Sequence, residues 1–165
     1  GALEINDGFF SGHYLGIEGS VTNAPDSNHS FQFVFVIPNS RAPGNWTSAV
    51  ANKRLYNFMY TATSGRWNFQ PYVLLVRSPK SSALGYTNTE SAYGVVFMST
   101  WTIDPTWSLA TRIEDIANQS TTNDTSPNAD LVGYGPGSGG WTFTLTPTYR
   151  YKAFLVRADL SQVIA

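Results

Sequence analysis

The feature that most constrains this chain is the alternation of apolar and polar residues with a period of two. It is clearest in WTFTLT (141–146), where Trp141, Phe143 and Leu145 are separated by threonines. Successive side chains of a β-strand point to opposite faces, so this pattern predicts a strand with one apolar and one polar face. The segment FQFVFVIPN (31–39) is apolar at both alternate sets and ends at a proline, which predicts an interior strand.

Other short strand-like segments lie between turns rich in Gly, Pro, Asn and Ser. They cover residues 13–22, 92–99 and 149–157, and a hairpin turning at Ser64 and Gly65 joins 54–61 to 66–76. Only LATRIEDIAN (109–118) could form a helix. Many short strands between turns predict an all-β fold, a two-sheet antiparallel β-sandwich, in a single domain covering 1–165.

The same alternation predicts which residues form the core of the sandwich. In the hairpin it places Trp67 and Phe69 on one side, and we predict that Trp67 is buried. The aromatic side chains of other strands are predicted to join it in the interior: Phe33, Phe97 and Phe143. The face carrying Arg54, Tyr56 and Phe58 is predicted to point outward, because arginine favours solvent.

Composition excludes several functional classes. The chain has 165 residues, a net charge of -1 and only 13% charged residues, so it lacks the basic surface that nucleic acid requires. It has no cysteine, which excludes disulfides and thiolate metal sites. No apolar run reaches the ~18 residues of a membrane helix, and no signal peptide is visible, so we predict no membrane insertion. Because residue 1 is glycine, we interpret the chain as a processed or recombinant fragment.

No motif indicates catalysis. His13 and His29 lack a neighbouring serine motif and the spacing of metal ligands. In PGSGG (136–140) a proline replaces the first glycine of a nucleophile elbow. Glu114 and Asp115 are adjacent acids, but we interpret them as part of a solvated face rather than as a glycosidase pair. We therefore predict that the chain is not an enzyme and has no metal or cofactor.

The remaining composition indicates a recognition module. Aromatic faces pack on the C–H faces of sugars, while Arg, Asn and Ser bond the sugar hydroxyl groups. A β-sandwich with little charge and many Asn, Ser, Thr and aromatic residues is therefore predicted to bind carbohydrate.

Six segments, in order along the chain, carry a resemblance to a known family. They are IEGSVTN (17–23), FVFVIPN (33–39), RLYNFMY (54–60), RWNFQPYVLLV (66–76), SAYGVVFM (91–98) and YKAFLVRAD (151–159). Together they resemble the head domain of the rotavirus outer-capsid spike protein, which has a galectin-like sandwich. The lack of cysteine and the longer segment 101–130 favour a divergent rotavirus group.

This resemblance implies a viral attachment domain on the virion surface, joined to the rest of the spike, that recognises host cell-surface glycans. The family's ligand-anchoring arginine corresponds to Arg54, with Tyr56 on the same face. The loop GYGPGSGGW (133–141) supplies Tyr134 and Ser138 to the implied site. Two alternatives remain open: a capsid or fibre protrusion that binds a protein receptor, and a carbohydrate-binding module of a larger enzyme.

Overall fold

The computed structural model describes the backbone of residues 2–10, 13–38 and 53–165, and side chains in 22–37 and 53–165. It contains eleven strands and one short 3₁₀ turn, Ser82–Leu84. In the described part of the chain, no helix has the length and apolarity needed to cross a membrane. The strands are β1 (Ala2–Phe10), β2 (His13–Asn23), β3 (His29–Pro38), β4 (Arg54–Ser64), β5 (Trp67–Phe69), β6 (Tyr72–Ser78), β7 (Glu90–Thr102), β8 (Trp107–Asn118), β9 (Gly139–Tyr151), β10 (Phe154–Arg157) and β11 (Leu160–Ile164).

All eleven strands belong to one antiparallel sheet, and their order across the sheet follows their order in the sequence. Strands β5 and β6 both lie between β4 and β7, and β10 and β11 both pair with β9, so each couple is one interrupted strand. Across the first interruption, the N–H of Tyr60 still donates to the carbonyl of Pro71 at 3.0 Å, and that of Gln70 to Met98 at 2.8 Å. The result is an up-and-down meander of long strands.

The predicted all-β, antiparallel fold class is confirmed, whereas its galectin-like detail is not. The hairpin prediction is also confirmed: β4 turns through Gly65, which has a positive φ of 57°, into β5. The helix suggested for 109–118 is wrong, because these residues form most of β8 and pair with both β7 and β9. A period of two is present there too, but Arg112, Glu114 and Asp115 hide it.

The two ends of the sheet differ in the length of their connections. At one end the strands are joined through residues 24–28, 65–66, 103–106 and 152–153, so every connection is short. At the other end, the described connections are longer and cover 79–89 and 119–138. We call these the short-turn end and the long-connection end.

Candidate functional site

One face of the sheet is apolar from β3 to β11. Residues that pair directly across antiparallel strands share a face, so the pairing register shows which residues of successive strands lie on the same face. For example, Phe33 pairs with Phe58, which pairs with Val73, which pairs with Val95. We call this surface the apolar face, and its large side chains include Phe31, Phe33, Phe58, Val73, Leu75, Val95, Phe97, Ile113, Phe143, Leu145 and Leu160.

The opposite face of the same strands is mainly polar. Residues paired across successive strands form rows. One row of this face holds Met98, Arg112, Thr144 and Ser161, and the next row holds Tyr72, Val96, Glu114 and Thr142. We call this surface the polar face. Its polar side chains include Gln32, Asn57, Thr61, Asn68, Tyr72, Arg112, Glu114, Thr142, Thr144, Thr146 and Ser161.

Burial is inverted relative to a protein that folds around its own apolar core. On β7, Val95 and Phe97 of the apolar face are 46% and 45% exposed, whereas Val96 between them on the polar face is 2% exposed. Among the residues with described side chains, the buried apolar ones are only Tyr86, Ala92, Val96 and Ala129. A continuous exposed apolar surface of this kind marks a site that another apolar medium or partner covers.

The predicted core is therefore wrong. Its four aromatic residues all lie on the exposed apolar face: Phe33 (39% exposed), Trp67 (42%), Phe97 (45%) and Phe143 (42%). The alternation correctly groups them on one face, but it does not say whether protein covers that face. The prediction that the face of Arg54 and Phe58 points outward is correct, and the two sets belong to the same face.

Two couples of polar groups on the apolar face are hydrogen-bonded to each other. The hydroxyl groups of Ser99 and Thr111, directly opposite in register, lie 2.7 Å apart. The Tyr93 hydroxyl donates to the Asp115 carboxylate at 3.4 Å. Pairing lowers the cost of placing such groups in an apolar medium, where an unsatisfied donor or acceptor is expensive.

Large aromatic residues of the apolar face cluster at the short-turn end. Trp67 and Trp101 are paired in register and stacked, with ring centroids 5.7 Å apart, and Trp107 lies 5.0 Å from Tyr149. Tryptophan and tyrosine combine an apolar ring with a polar N–H or O–H, and they favour boundaries between apolar and aqueous media. This group therefore indicates such a boundary at the short-turn end.

The polar face carries an ion pair midway along β8. Arg112 and Glu114 are two residues apart, and the guanidinium Nη2 lies 2.8 Å from the carboxylate Oε2. The same nitrogen is 3.5 Å from the Tyr72 hydroxyl. The Nε of Arg112 and the Oδ1 of Asn57 are buried and have no hydrogen-bond partner among the described residues. Buried polar atoms of this kind are normally satisfied by water, so this face suits an aqueous environment.

Side-chain hydrogen bonds join the two described long connections. The amide nitrogen of Asn128, whose side chain is fully buried, donates to the carbonyl of Ser78 at 3.3 Å, its Oγ at 3.2 Å and the carbonyl of Asn88 at 3.1 Å. Asn88 also donates to Asp124 at 2.9 Å. The pKa of Asp124 is lowered by the Ser126 N–H and then by Asn88. The connections 79–89 and 119–138 therefore form one hydrogen-bonded unit.

The four residues predicted to bind ligand lie in two places. Arg54 and Tyr56 are on the apolar face, at the start of β4 beside the long connections. Tyr134 and Ser138 line a pocket of about 300 Å³ at the same end, with Ile116, Thr142 and Val163 of the polar face. No hydrogen bond or ion pair of the described residues joins the first couple to the second. Whether any of the four binds a ligand stays a prediction.

Sequence reasoning missed Arg77 and also Arg112, the ion-pair partner of Glu114. Arg77 lies directly opposite Arg54. Glu114 and Asp115 were considered as a pair, but neighbours on a strand point to opposite faces, so Glu114 meets Arg112 and Asp115 meets Tyr93. The spacing Arg112-x-Glu114 could have predicted this ion pair from the sequence, since residues two apart on a strand share a face.

One comparison with known proteins gives a match. The sequence model of the family described as "Putative beta-barrel porin-2, OmpL-like" matches residues 2–165. No curated protein and no solved structure matches the chain.

This match overturns the rotavirus resemblance and what it implied. The viral attachment function, the glycan partner, the remaining spike as partner and the virion-surface location are all wrong. The two alternatives, a capsid protrusion and a carbohydrate-binding module, fall with them. The prediction of no membrane insertion is contradicted as well, because it considered only helical spans, whereas strands of a porin need only alternate apolar residues. The six resembling segments are short strand patterns, which any all-β chain can share.

The family match and the two-faced sheet agree with each other: a porin barrel has an apolar outer face and a polar inner one. Since the matched region covers residues 2–165, almost the whole chain, the chain belongs to this OmpL-like β-barrel porin family.

Proposed function

We propose that the sheet forms part or all of the wall of an outer-membrane β-barrel that conducts small polar solutes. The observation that carries the proposal is the inverted burial on β7, with Val95 and Phe97 exposed and Val96 buried. Lipid then covers the apolar face, and the polar face lines an aqueous lumen. Because unpaired strand edges do not occur in hydrocarbon, β1 and the β10–β11 strand are paired in the membrane, with each other or with further strands.

The connections support one orientation. Outer-membrane barrels have short periplasmic turns and longer extracellular loops. The short-turn end, with Trp67, Trp101 and Trp107, is then the periplasmic boundary, and the connections 79–89 and 119–138 face the outside of the cell.

The polar face supports selection by charge. Hydroxyl groups of Thr142, Thr144 and Ser161 offer neutral hydrogen bonds, and Arg112 with Glu114 adds one fixed charge of each sign. Rings of charged side chains determine which ions enter a pore. We propose that Arg112 favours anions locally and that its removal lets cations pass more readily. The prediction that the chain is not an enzyme is part of this proposal.

Electrical recording of the purified protein in planar lipid bilayers tests the function. We expect discrete conductance steps, and Arg112→Glu should shift the reversal potential in a salt gradient towards cation selectivity. Lys152→Glu, which removes a cation from a short turn outside the wall, is the matched control and should shift it little. A protein that inserts into the bilayer but never conducts contradicts the pore, and equal shifts for both variants contradict the role of Arg112.

A further inference from the structure

Two arginines of the apolar face lie opposite each other at the long-connection end. Arg54, the first residue of β4, pairs directly with Arg77 near the end of β6, and both are exposed. Opposed like charges on paired strands are destabilising. No carboxylate within the described residues forms an ion pair with either guanidinium.

Two cations at the short-turn end differ, because both have a partner. Arg66 donates to the carbonyl of Ile103 at 2.8 Å and lies near Asp104, whose pKa it helps to lower. The ammonium of Lys152 lies 5.3 Å from the centroid of the Tyr151 ring. Among the described cations of the apolar face, Arg54 and Arg77 therefore stand out as a couple without a charge partner.

The surroundings of the pair fit the boundary of a membrane. The next register row towards the middle of the sheet holds Tyr56, Leu75 and Tyr93, and the row after it holds Phe58, Val73 and Val95. Two residues of a strand span about 6.6 Å. A lipid whose acyl chains cover Val73 and Val95 would place its headgroup at the level of the arginines.

We infer that Arg54 and Arg77 together bind the phosphate of a lipid headgroup in the membrane leaflet at the long-connection end. A guanidinium presents two parallel N–H donors to phosphate, and two opposed guanidinium groups match its multiple oxygen atoms and negative charge. The bound anion also removes the repulsion between the arginines. This inference rests on the proposed function, because it needs the apolar face to be covered by lipid.

Lipid selectivity of the full chain in vesicles tests the inference. Association of spin-labelled phosphatidic acid is compared with that of spin-labelled phosphatidylcholine by electron spin resonance. We expect a preference for phosphatidic acid on the order of tenfold from two arginines at the surface. Arg54→Gln/Arg77→Gln should abolish the preference. Arg54→Lys/Arg77→Lys, which keeps the charge but loses the paired donors, should retain part of it.

The matched control is Arg66→Gln/Lys152→Gln, which removes two cations at the other end and should keep the preference. Quenching of tryptophan fluorescence by brominated lipids reports insertion separately. A chain that inserts without preference, or a preference unchanged in Arg54→Gln/Arg77→Gln, overturns the inference alone; a chain that does not insert overturns the proposed function as well. Millimolar inorganic phosphate should leave the preference for phosphatidic acid intact. If inorganic phosphate displaced the labelled lipid, the arginines would instead form a site for free phosphate.

Discussion

The two faces of the sheet are built from the same strands, yet their side chains differ in both polarity and exposure. On β9, Trp141, Phe143 and Leu145 point to one side and remain exposed, whereas Thr142, Thr144 and Thr146 point to the other and are less exposed. In a water-soluble sandwich the apolar set would be covered by a second layer of protein. The difference indicates that something other than this sheet covers the apolar face, and the proposed function assigns that covering to lipid.

The largest expected effect comes from a charge placed on the apolar face. Phe97→Arg, near the middle of β7, should lower the free energy of unfolding by about 2–4 kcal/mol, because a cation in the hydrocarbon region loses its hydration. Urea titration of the chain folded in vesicles measures the loss. Thr142→Arg is the control on the polar face, where the new cation lies opposite Glu114, and it should cost far less. Equal losses for the two variants would contradict the assignment of the faces.

A second test asks whether the long connections are a stable unit separate from both faces. Asn128→Ala removes the donors to Ser78 and Asn88. Leaving these buried acceptors unsatisfied should cost about 1–3 kcal/mol. Limited proteolysis should then cut residues 79–89 faster, while the strands stay protected. Asn123→Ala, at an exposed position of the same connection, is the control, and similar cutting in both variants would contradict a stabilising role for the Asn128 hydrogen bonds.

A smaller effect concerns paired hydroxyl groups on the apolar face. Ser99→Ala leaves the hydroxyl of Thr111 without its partner, and we expect a cost of about 1 kcal/mol in the free energy of unfolding. Ser99→Ala/Thr111→Val, which removes both hydroxyl groups, should recover most of that loss if lipid surrounds them. A double variant that loses the sum of two single effects would place the pair in water or in a polar setting.

The smallest effect is the response of a short turn to pH. The Asp104 carboxylate accepts hydrogen bonds from the Thr106 hydroxyl at 2.6 Å and from the N–H groups of Thr106 and Trp107 at 2.7 and 2.8 Å, which lower its pKa below the ordinary value of 3.8. A lowered pKa stabilises the folded turn fully above 3.8, and this contribution disappears as the pH falls through the folded-state pKa. Carbon-detected NMR titration measures that pKa. Asp104→Asn should reduce the loss of stability of the turn as the pH falls. A folded-state pKa of Asp104 at or above 3.8 would contradict these hydrogen bonds.

The sequence predicts the strands and the sharing of faces well, because both follow from a period of two. Phe97 and Trp67 are assigned to one side correctly, yet they were predicted to be buried, since alternation is identical whether protein or lipid covers the apolar side. The strand β8 was harder, because Arg112 and Glu114 interrupt its apolar pattern with charges that only the register explains. Contacts such as Asn128 with Ser78 join residues 50 positions apart, and no local pattern in the sequence indicates them.

The central claim is that lipid contacts one face and water the other, and single cysteines along β9 test it most directly. The chain has no cysteine of its own, so a spin label can be attached at one position at a time: 142, 143, 144 and 145. Collision with oxygen reports lipid and collision with a water-soluble nickel complex reports water. The account predicts a strict alternation, with labels at Phe143 and Leu145 accessible to oxygen and labels at Thr142 and Thr144 accessible to nickel. Equal accessibility at all four positions, or nickel access at 143 and 145, would contradict it.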